Sequence, residues 1–359
     1  AWDGTAWAPL GQGLSALVNA LTVYDGKLIA GGQFAMAGGV SANYIAAWDG
    51  SNWTPLGPGT NSNINALAVF NGKLIAAGYF TMAGGASANC IAEWDGTAWS
   101  PLGAGLLHTS GSTNVFALEV YDNKLIAGGY FTTAGGVSAN YIAAWDGSVW
   151  SALGSGTSGY VLALTPFDGK LIAGGVFTQA GGGLTVNYVA AWDGVSWSSL
   201  GTGLGSANSA LIVHNNNLIA GGGFTTAGGS PANRIAAWDG SAWSPLGSGM
   251  DSTVSAFTIY NYKLIAGGRF MAAGAKACYR IAQWDKDAAP PQFVCGDAND
   301  NDVVNIVDVS YIINFLYRHG PAPIPPESAD VNSSGTTNII DVSYIINFLY
   351  RHGPAPDCP

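Results

Sequence analysis

Along the first 285 positions, apolar residues run in short alternating stretches, each stopped by a turn containing Gly or Asn. In Ala20 to Phe34 the run ALTVY is followed by Asp25-Gly26 and then KLIAGGQF, which predicts a β-hairpin closed by a two-residue turn. Farther on, YIAAW, Asp49-Gly50 and SNWTPL predict a second hairpin, so the pattern implies four short strands per unit. No segment of this region keeps a helical period, and its glycine density opposes helices.

The unit recurs. Trp-Asp stands at Trp2, Trp48, Trp94, Trp145, Trp192, Trp238 and Trp284, at intervals of 46 to 51 residues. A second Trp follows each of the first six at five residues, from Trp7 to Trp243, and a Leu-Ile-Ala block begins at Leu28, Leu74, Leu125, Leu171, Leu218 and Leu264. Four-stranded repeats of this period are propeller blades, which protect their edges by radial packing. The expected fold is therefore mainly β, a six-bladed β-propeller over residues 1–285. Repeat six has strands near Ser255 to Tyr260, Lys263 to Phe270 and Arg280 to Trp284 but lacks an outer Trp strand, and Thr5 to Leu10 has the sequence of one. Pairing that segment with Arg280 to Trp284 would close the ring and remove two edges. A Pro-containing linker, 286–294, follows.

The order of marks in LIAGGQF...SANYIAAWDGSNWTPL, a glycine doublet, then Asn, an aromatic-Asp pair and a spaced Trp, resembles the kelch repeat. Trp-Asp replaces the usual Tyr-Asp, and repeat two has Ala77-Gly78 in place of the doublet. The Trp-Asp pair is similar to WD40 repeats, whose Gly-His element is missing, and Asp-Gly-x-x-Trp is similar to the sialidase Asp box without its spacing.

Residues 295–359 are a different domain. Asp308 to Pro323 reads DVSYIINFLYRHGPAP, and Asp341 to Pro356 repeats it unchanged. Each copy follows a polar loop with oxygen donors at alternate positions. The first offers Asp297, Asn299, Asn301, the Val303 carbonyl, Asn305 and Asp308; the second offers Asp330, Asn332, Ser334, the Thr336 carbonyl, Asn338 and Asp341. Oxygens at positions 1, 3, 5, 7, 9 and 12 of a 12-residue loop wrap a hard cation, so two calcium ions are expected. Extra charge from Asp300 and Asp302 makes the first loop the tighter site. The bland reading is an Asx-rich turn in which Asp308 or Asp341 is only a helix N-cap.

Position 12 is Asp rather than Glu, and position 6 is Gly335 in the second loop but Asp302 in the first. With an apolar helix directly after each loop and a Pro-rich spacer between the copies, the segment from Cys295 to Cys358 resembles the dockerin type I module. The resemblance implies an α-helical, EF-hand-like domain that plugs into a cohesin partner through the start of either helix. Loop positions 10 and 11 help to read the partner in that family. They are Ile306 and Val307, then Ile339 and Ile340, so the contact would be apolar; the alternative places these side chains in the module's own core. The helix stripes are Ile312, Ile313, Phe315 and Leu316, and Ile345, Ile346, Phe348 and Leu349. Cys295 and Cys358 stand at the two borders of the module. A disulfide there would close a loop of more than 60 residues and contribute about 2 to 4 kcal/mol. Cys90 and Cys278 lie in repeats that are not neighbours and are expected to be unbridged.

Charge and chemistry narrow the function. Residues 1–294 hold 14 acidic and 10 basic side chains, and residues 295–359 hold 8 and 2, so neither part offers the basic patch that nucleic acid requires. No apolar run is long enough to span a membrane. A start at Ala1 without Met is expected of a processed, secreted or cell-surface chain. The propeller has two histidines, His108 and His214, at unrelated repeat positions, and two glutamates, Glu93 and Glu119, in different repeats. No catalytic set assembles from these, and the Asp of each Trp-Asp-Gly is a turn residue. The expectation is a non-catalytic assembly protein whose calcium-stabilised plug docks on a cohesin-like protein or on another copy of itself, as in a fibre. The alternative is a carbohydrate-binding propeller, anchored to a cellulosome-like complex, with Tyr44, Tyr141 and Tyr188 as sugar platforms.

Overall fold

The computed structural model describes residues 6, 8–274, 276–284, 306–318, 323, 329, 331 and 337–351. The chain divides into two compact units, Ala1–Trp284 and Asp285–Pro359. Among the described residues, no helix is long and apolar enough to cross a membrane.

The first unit is a succession of antiparallel sheets built on one plan. In the first repeat β1 (Val18–Tyr24), β2 (Lys27–Gly32), β5 (Ile45–Trp48) and β6 (Trp53–Pro55) lie in the order β1-β2-β5-β6. The β1–β2 hairpin turns at Asp25-Gly26, whose φ values of 49° and 67° give the mirror-image turn that matches strand twist. β2 is buried from Ile29 to Gly32. The same four-stranded order recurs in four further repeats, and the sixth contributes three strands, Val254–Tyr260, Lys263–Gly268 and Ile281–Trp284. Propeller-like blades of four-stranded sheets are thus present as the periodicity predicts.

Each repeat also contains a small hairpin that the hydrophobic pattern does not announce, β3 (Met36–Ala37) with β4 (Val40–Ser41) in the first. Its turn is Gly38-Gly39, at φ 56° and 84°. The adjacent-glycine signal was available in the sequence, but strands of two residues carry no visible alternation.

The Trp-Asp-Gly turn has a purely local cause. Asp49 Oδ1 accepts the Ser51 and Asn52 amides at 2.8 and 2.7 Å, and Asp95, Asp146, Asp193 and Asp239 repeat the arrangement. The two tryptophans of each of the first five repeats sit side by side across the outer hairpin, with ring centroids 5.4 to 5.5 Å apart. The second of them ties its sheet to the preceding one: Trp99 Nε1 donates to the Leu56 carbonyl at 2.8 Å, and Trp150, Trp197 and Trp243 do the same to Leu102, Leu153 and Leu200. Between sheets, Ile29 and Ile45 pack with Ile64, Leu74 and Phe80 of the next repeat. Phe34, Phe80, Phe131, Phe177, Phe224 and Phe270 are fully buried, one per repeat.

The expected closing pair, residues 5–10 with residues 280–284, lies partly outside the described residues, which include neither Thr5 nor Trp7. Leu10 packs against the first sheet, where its carbonyl accepts Trp53 Nε1 at 2.9 Å, the position that Leu56 holds toward Trp99. Leu21 is exposed in the first sheet and Ile281 in the last.

The second unit contains α1 (Ile306–Arg318) and α2 (Ile339–Arg351). Val309 and Ile312 of α1 and Val342 and Ile345 of α2 form a core with Ala329 and Val331. These are equivalent positions of the duplicated segment, so its two copies meet through the same residues. Ile313, Leu316, Ile346 and Leu349 pack at the margin.

Candidate functional site

The start of α2 is where the calcium loop meets a described helix. The Asn338 amide donates to Asp341 Oδ2 at 2.8 Å, and the Ile340 amide donates to Asn338 Oδ1 at 2.8 Å. This is a reciprocal capping box in which Asn338 is the N-cap and Asp341 stands three residues later. Asp341 itself is therefore not the N-cap. Its carboxylate is fully buried, which is costly unless donors or cations meet it. The Asn338 amide is one such donor, and oxygen ligands alone are also the set a hard cation takes, so the two residues fit a calcium loop. The predicted ligands Asp297, Asn299, Asn301, Val303, Asn305, Asp330, Asn332, Ser334 and Thr336 lie outside the described residues, and Asp308 is placed only as part of α1. Among the described residues, no three His, Cys, Asp or Glu side chains form a metal-binding group. Cys295 and Cys358 also lie outside them; Cys90 and Cys278 are free thiols.

Several apolar side chains of the helix pair are exposed. Ile339 and Ile340, 49% and 61% exposed, stand clear of the core. Their counterparts Ile306 and Val307 fall in the first turn of α1. Tyr317 and Tyr350, near the ends of the two helices, are each 63% exposed. The sequence reading did not single out these tyrosines, although they are equivalent residues of the duplicated segment.

A second candidate lies on the propeller. The tyrosines expected as platforms, Tyr44, Tyr141 and Tyr188, are half-buried and packed against the cores between sheets. They share a left-handed backbone with Cys90, Arg234 and Arg280, at φ 64° to 71°. A conformation repeated at the same place in every repeat belongs to the fold rather than to a ligand site. The third repeat is different because five extra residues, part of the 51-residue interval, widen the loop around 107–113. His108 stacks on Tyr130 at 4.0 Å, and Tyr160 meets the Tyr130 ring at 4.7 Å. Beside this group is a cleft of about 250 Å³ lined by Asn61, Tyr79, Thr81, Asn89, Leu107 and Thr113, among others. Cys90 also lines it, its thiol donating to the Thr113 carbonyl at 3.6 Å, and burial pushes the thiol pKa up to about 12.

Residues 295–350 match the Dockerin type I domain. Residues 25–46, 71–93 and 122–143 match a β-propeller domain of unknown function, DUF5122. No curated protein matches the chain. Among solved structures, the chain is similar to the WD40 β-propeller domain of Doa1 at 14% identity and a TM-score of 0.48, over 77% of this chain and 81% of that one. It is similar to the computationally designed Ika8 protein at 16% identity and a TM-score of 0.44, over 76% and 85%. It is also similar to the extracellular domain of a putative one-component system, BT4673 of B. thetaiotaomicron, at 9% identity and a TM-score of 0.49, over 79% of this chain and 34% of that chain. Dockerin type I domains bind calcium and dock on cohesin partners. The chain therefore joins repeats of β-propeller type to a C-terminal dockerin type I domain.

Proposed function

We propose that this chain is a non-catalytic extracellular assembly component, in which the dockerin plugs into a cohesin-type partner and the propeller is the part displayed. The observation that carries this reading is the apolar surface left by Ile339, Ile340, Tyr317 and Tyr350 outside a core that Val309, Ile312, Val342 and Ile345 already fill. Exposed isoleucines beside an oxygen-rich loop suit a partner that recognises the calcium-bound helix start, and duplication supplies a second, equivalent face. Two calcium ions, one per loop, and a Cys295–Cys358 clasp belong to the same proposal. Calorimetric titration of a purified type I cohesin module into the full chain tests it. Binding is expected in calcium, absent in EDTA, and weakened at least tenfold by Val307→Asp with Ile340→Asp. Binding that survives EDTA or the double substitution refutes the reading.

A second reading has its own observation. The aromatic group at Tyr130 and Tyr160, beside the cleft at Asn61 and Asn89, is the place where one repeat departs from the others. Aromatic rings next to amide side chains suit a sugar ring, and a glycan array probed with the full chain and with Tyr160→Ala would reveal such an activity.

A further inference from the structure

Every joint between successive sheets uses the same pair of parts. One is a residue at the start of an inner strand, Ile64, Val115, Val161, Asn208 or Val254, and all five are 0% exposed. The other is the preceding sheet's first glycine of the Gly-Gly pair. A Cβ on Gly31 would lie 2.6 Å from Ile64, one on Gly128 2.5 Å from Val161, and one on Gly221 2.7 Å from Val254, so each apolar knob fills a notch that only glycine leaves open. Ala77 is the single departure, and it packs with Val115.

The two end sheets carry the unused halves of this joint. Val18, the knob of sheet one, is 41% exposed, and Leu21 beside it 60%. Among the described residues, Gly267, the notch of sheet six, has only the Arg280 carbonyl within 4 Å, at 3.9 Å. Ile281 is 49% exposed, whereas its equivalents Ile45, Ile91, Ile142 and Val189 are fully buried.

We propose that a second copy of this chain occupies sheet six, with its Val18 and Leu21 seated against Gly267 and Ile281. The argument for a second copy is continuity with an interface this chain already makes five times, together with both halves standing open at once within one chain. A head-to-tail contact of this kind does not close on two copies and propagates into a filament. The proposal does not depend on the dockerin, whose loops take no part in the joint.

The test mixes two full-chain variants, Val18→Cys alone and Gly267→Cys alone, under mild oxidation. A Cβ on Gly31 stands 3.3 Å from the Ile64 Cβ, and one on Gly128 3.0 Å from that of Val161. A seated joint therefore brings the two thiols close to disulfide geometry, with a small adjustment. Peptide mapping of the mixture is expected to find a 18–267 bridge in a two-chain product, in EDTA as in calcium. The double variant should give a ladder of covalent multimers. A double variant that forms the bridge only within single chains would mean that the propeller closes on itself and would overturn the proposal. So would the absence of the bridge, or a bridge that forms only with calcium. Leu21→Glu provides an independent check, because that side chain is exposed in the single chain. It should leave the circular dichroism unchanged and reduce the mass seen by light scattering to one chain; assembly that persists refutes the joint.

Discussion

Two glycines at the same repeat position should respond to the same substitution with different signs. In Gly31→Ala the new methyl would lie 2.6 Å from Ile64 Cγ2 and 3.3 Å from both the Ile64 Cβ and Leu67 Cδ1. Ile64 has no exposed surface, so it cannot swing aside, and the sheets must separate by several tenths of an ångström. Overpacking of this kind costs about 1 to 3 kcal/mol. In Gly267→Ala the methyl would meet only the Arg280 carbonyl at 3.9 Å, an ordinary contact. Gly267 is not among the residues of positive φ, so no backbone strain opposes the change. Restricting the unfolded chain then stabilises the single chain by about 0.4 to 1 kcal/mol. Guanidinium unfolding followed by tryptophan fluorescence reads the difference, at a dilution where light scattering finds single chains. The midpoint should fall for Gly31→Ala and hold or rise for Gly267→Ala. Equal losses in the two variants would mean that Gly267 is covered in the single chain, and the account of an open end sheet would be wrong.

Asn208 holds the knob position that is Ile or Val in the other joints, and its amide is buried with no hydrogen-bond partner among the described residues; Asn208→Val should raise stability by about 1 to 3 kcal/mol in the same unfolding assay. Trp99→Phe removes the indole donor to the Leu56 carbonyl, which keeps only the Gly59 amide at 3.2 Å, and should cost about 0.5 to 1.5 kcal/mol, a loss that an unchanged midpoint would contradict. Backbone amides and the Thr97 hydroxyl hold the Asp95 carboxyl pKa down at about 2, and amides hold Asp49, Asp146, Asp193 and Asp239 low. A depressed carboxylate stabilises the fold above its unfolded pKa and stops doing so as pH falls through the folded one. The melting temperature should therefore decline between about pH 4 and pH 2, and Asp95→Asn should reduce the slope. In the second unit, EDTA or Asp341→Ala should lower the helical signal near 222 nm while the near-ultraviolet signal of the propeller tryptophans persists; loss of both together would refute independent folding of the two units.

Local chemistry was legible in the residues themselves. The Asp25-Gly26 hairpin, the Trp-Asp-Gly turn and the pairing of the two tryptophans are settled within about ten positions, because their hydrogen bonds join near neighbours and the required residue types recur each time. The apolar stripes of α1 and α2 follow from spacing in the same way. The β3–β4 hairpin was missed because its strands are too short to alternate, and Tyr44, Tyr141 and Tyr188 were expected at the surface because sequence does not show which aromatic residues a neighbouring sheet covers.

The end sheets show where sequence by itself stops. Trp7 to Leu10 repeats the pattern of an outer strand, and Val18 falls at the repeat position of Ile64, Val115 and Val161. Sequence could not determine which sheet receives them, because all six repeats present nearly the same acceptor and local pattern does not distinguish one chain's sheet six from another's. Only the tertiary structure decided that Leu10 packs with sheet one and that Val18, Leu21 and Ile281 stand exposed. That outcome depends on the distance between segments more than 250 residues apart, which accumulates from the small rotation at each of five joints and is written in no single repeat.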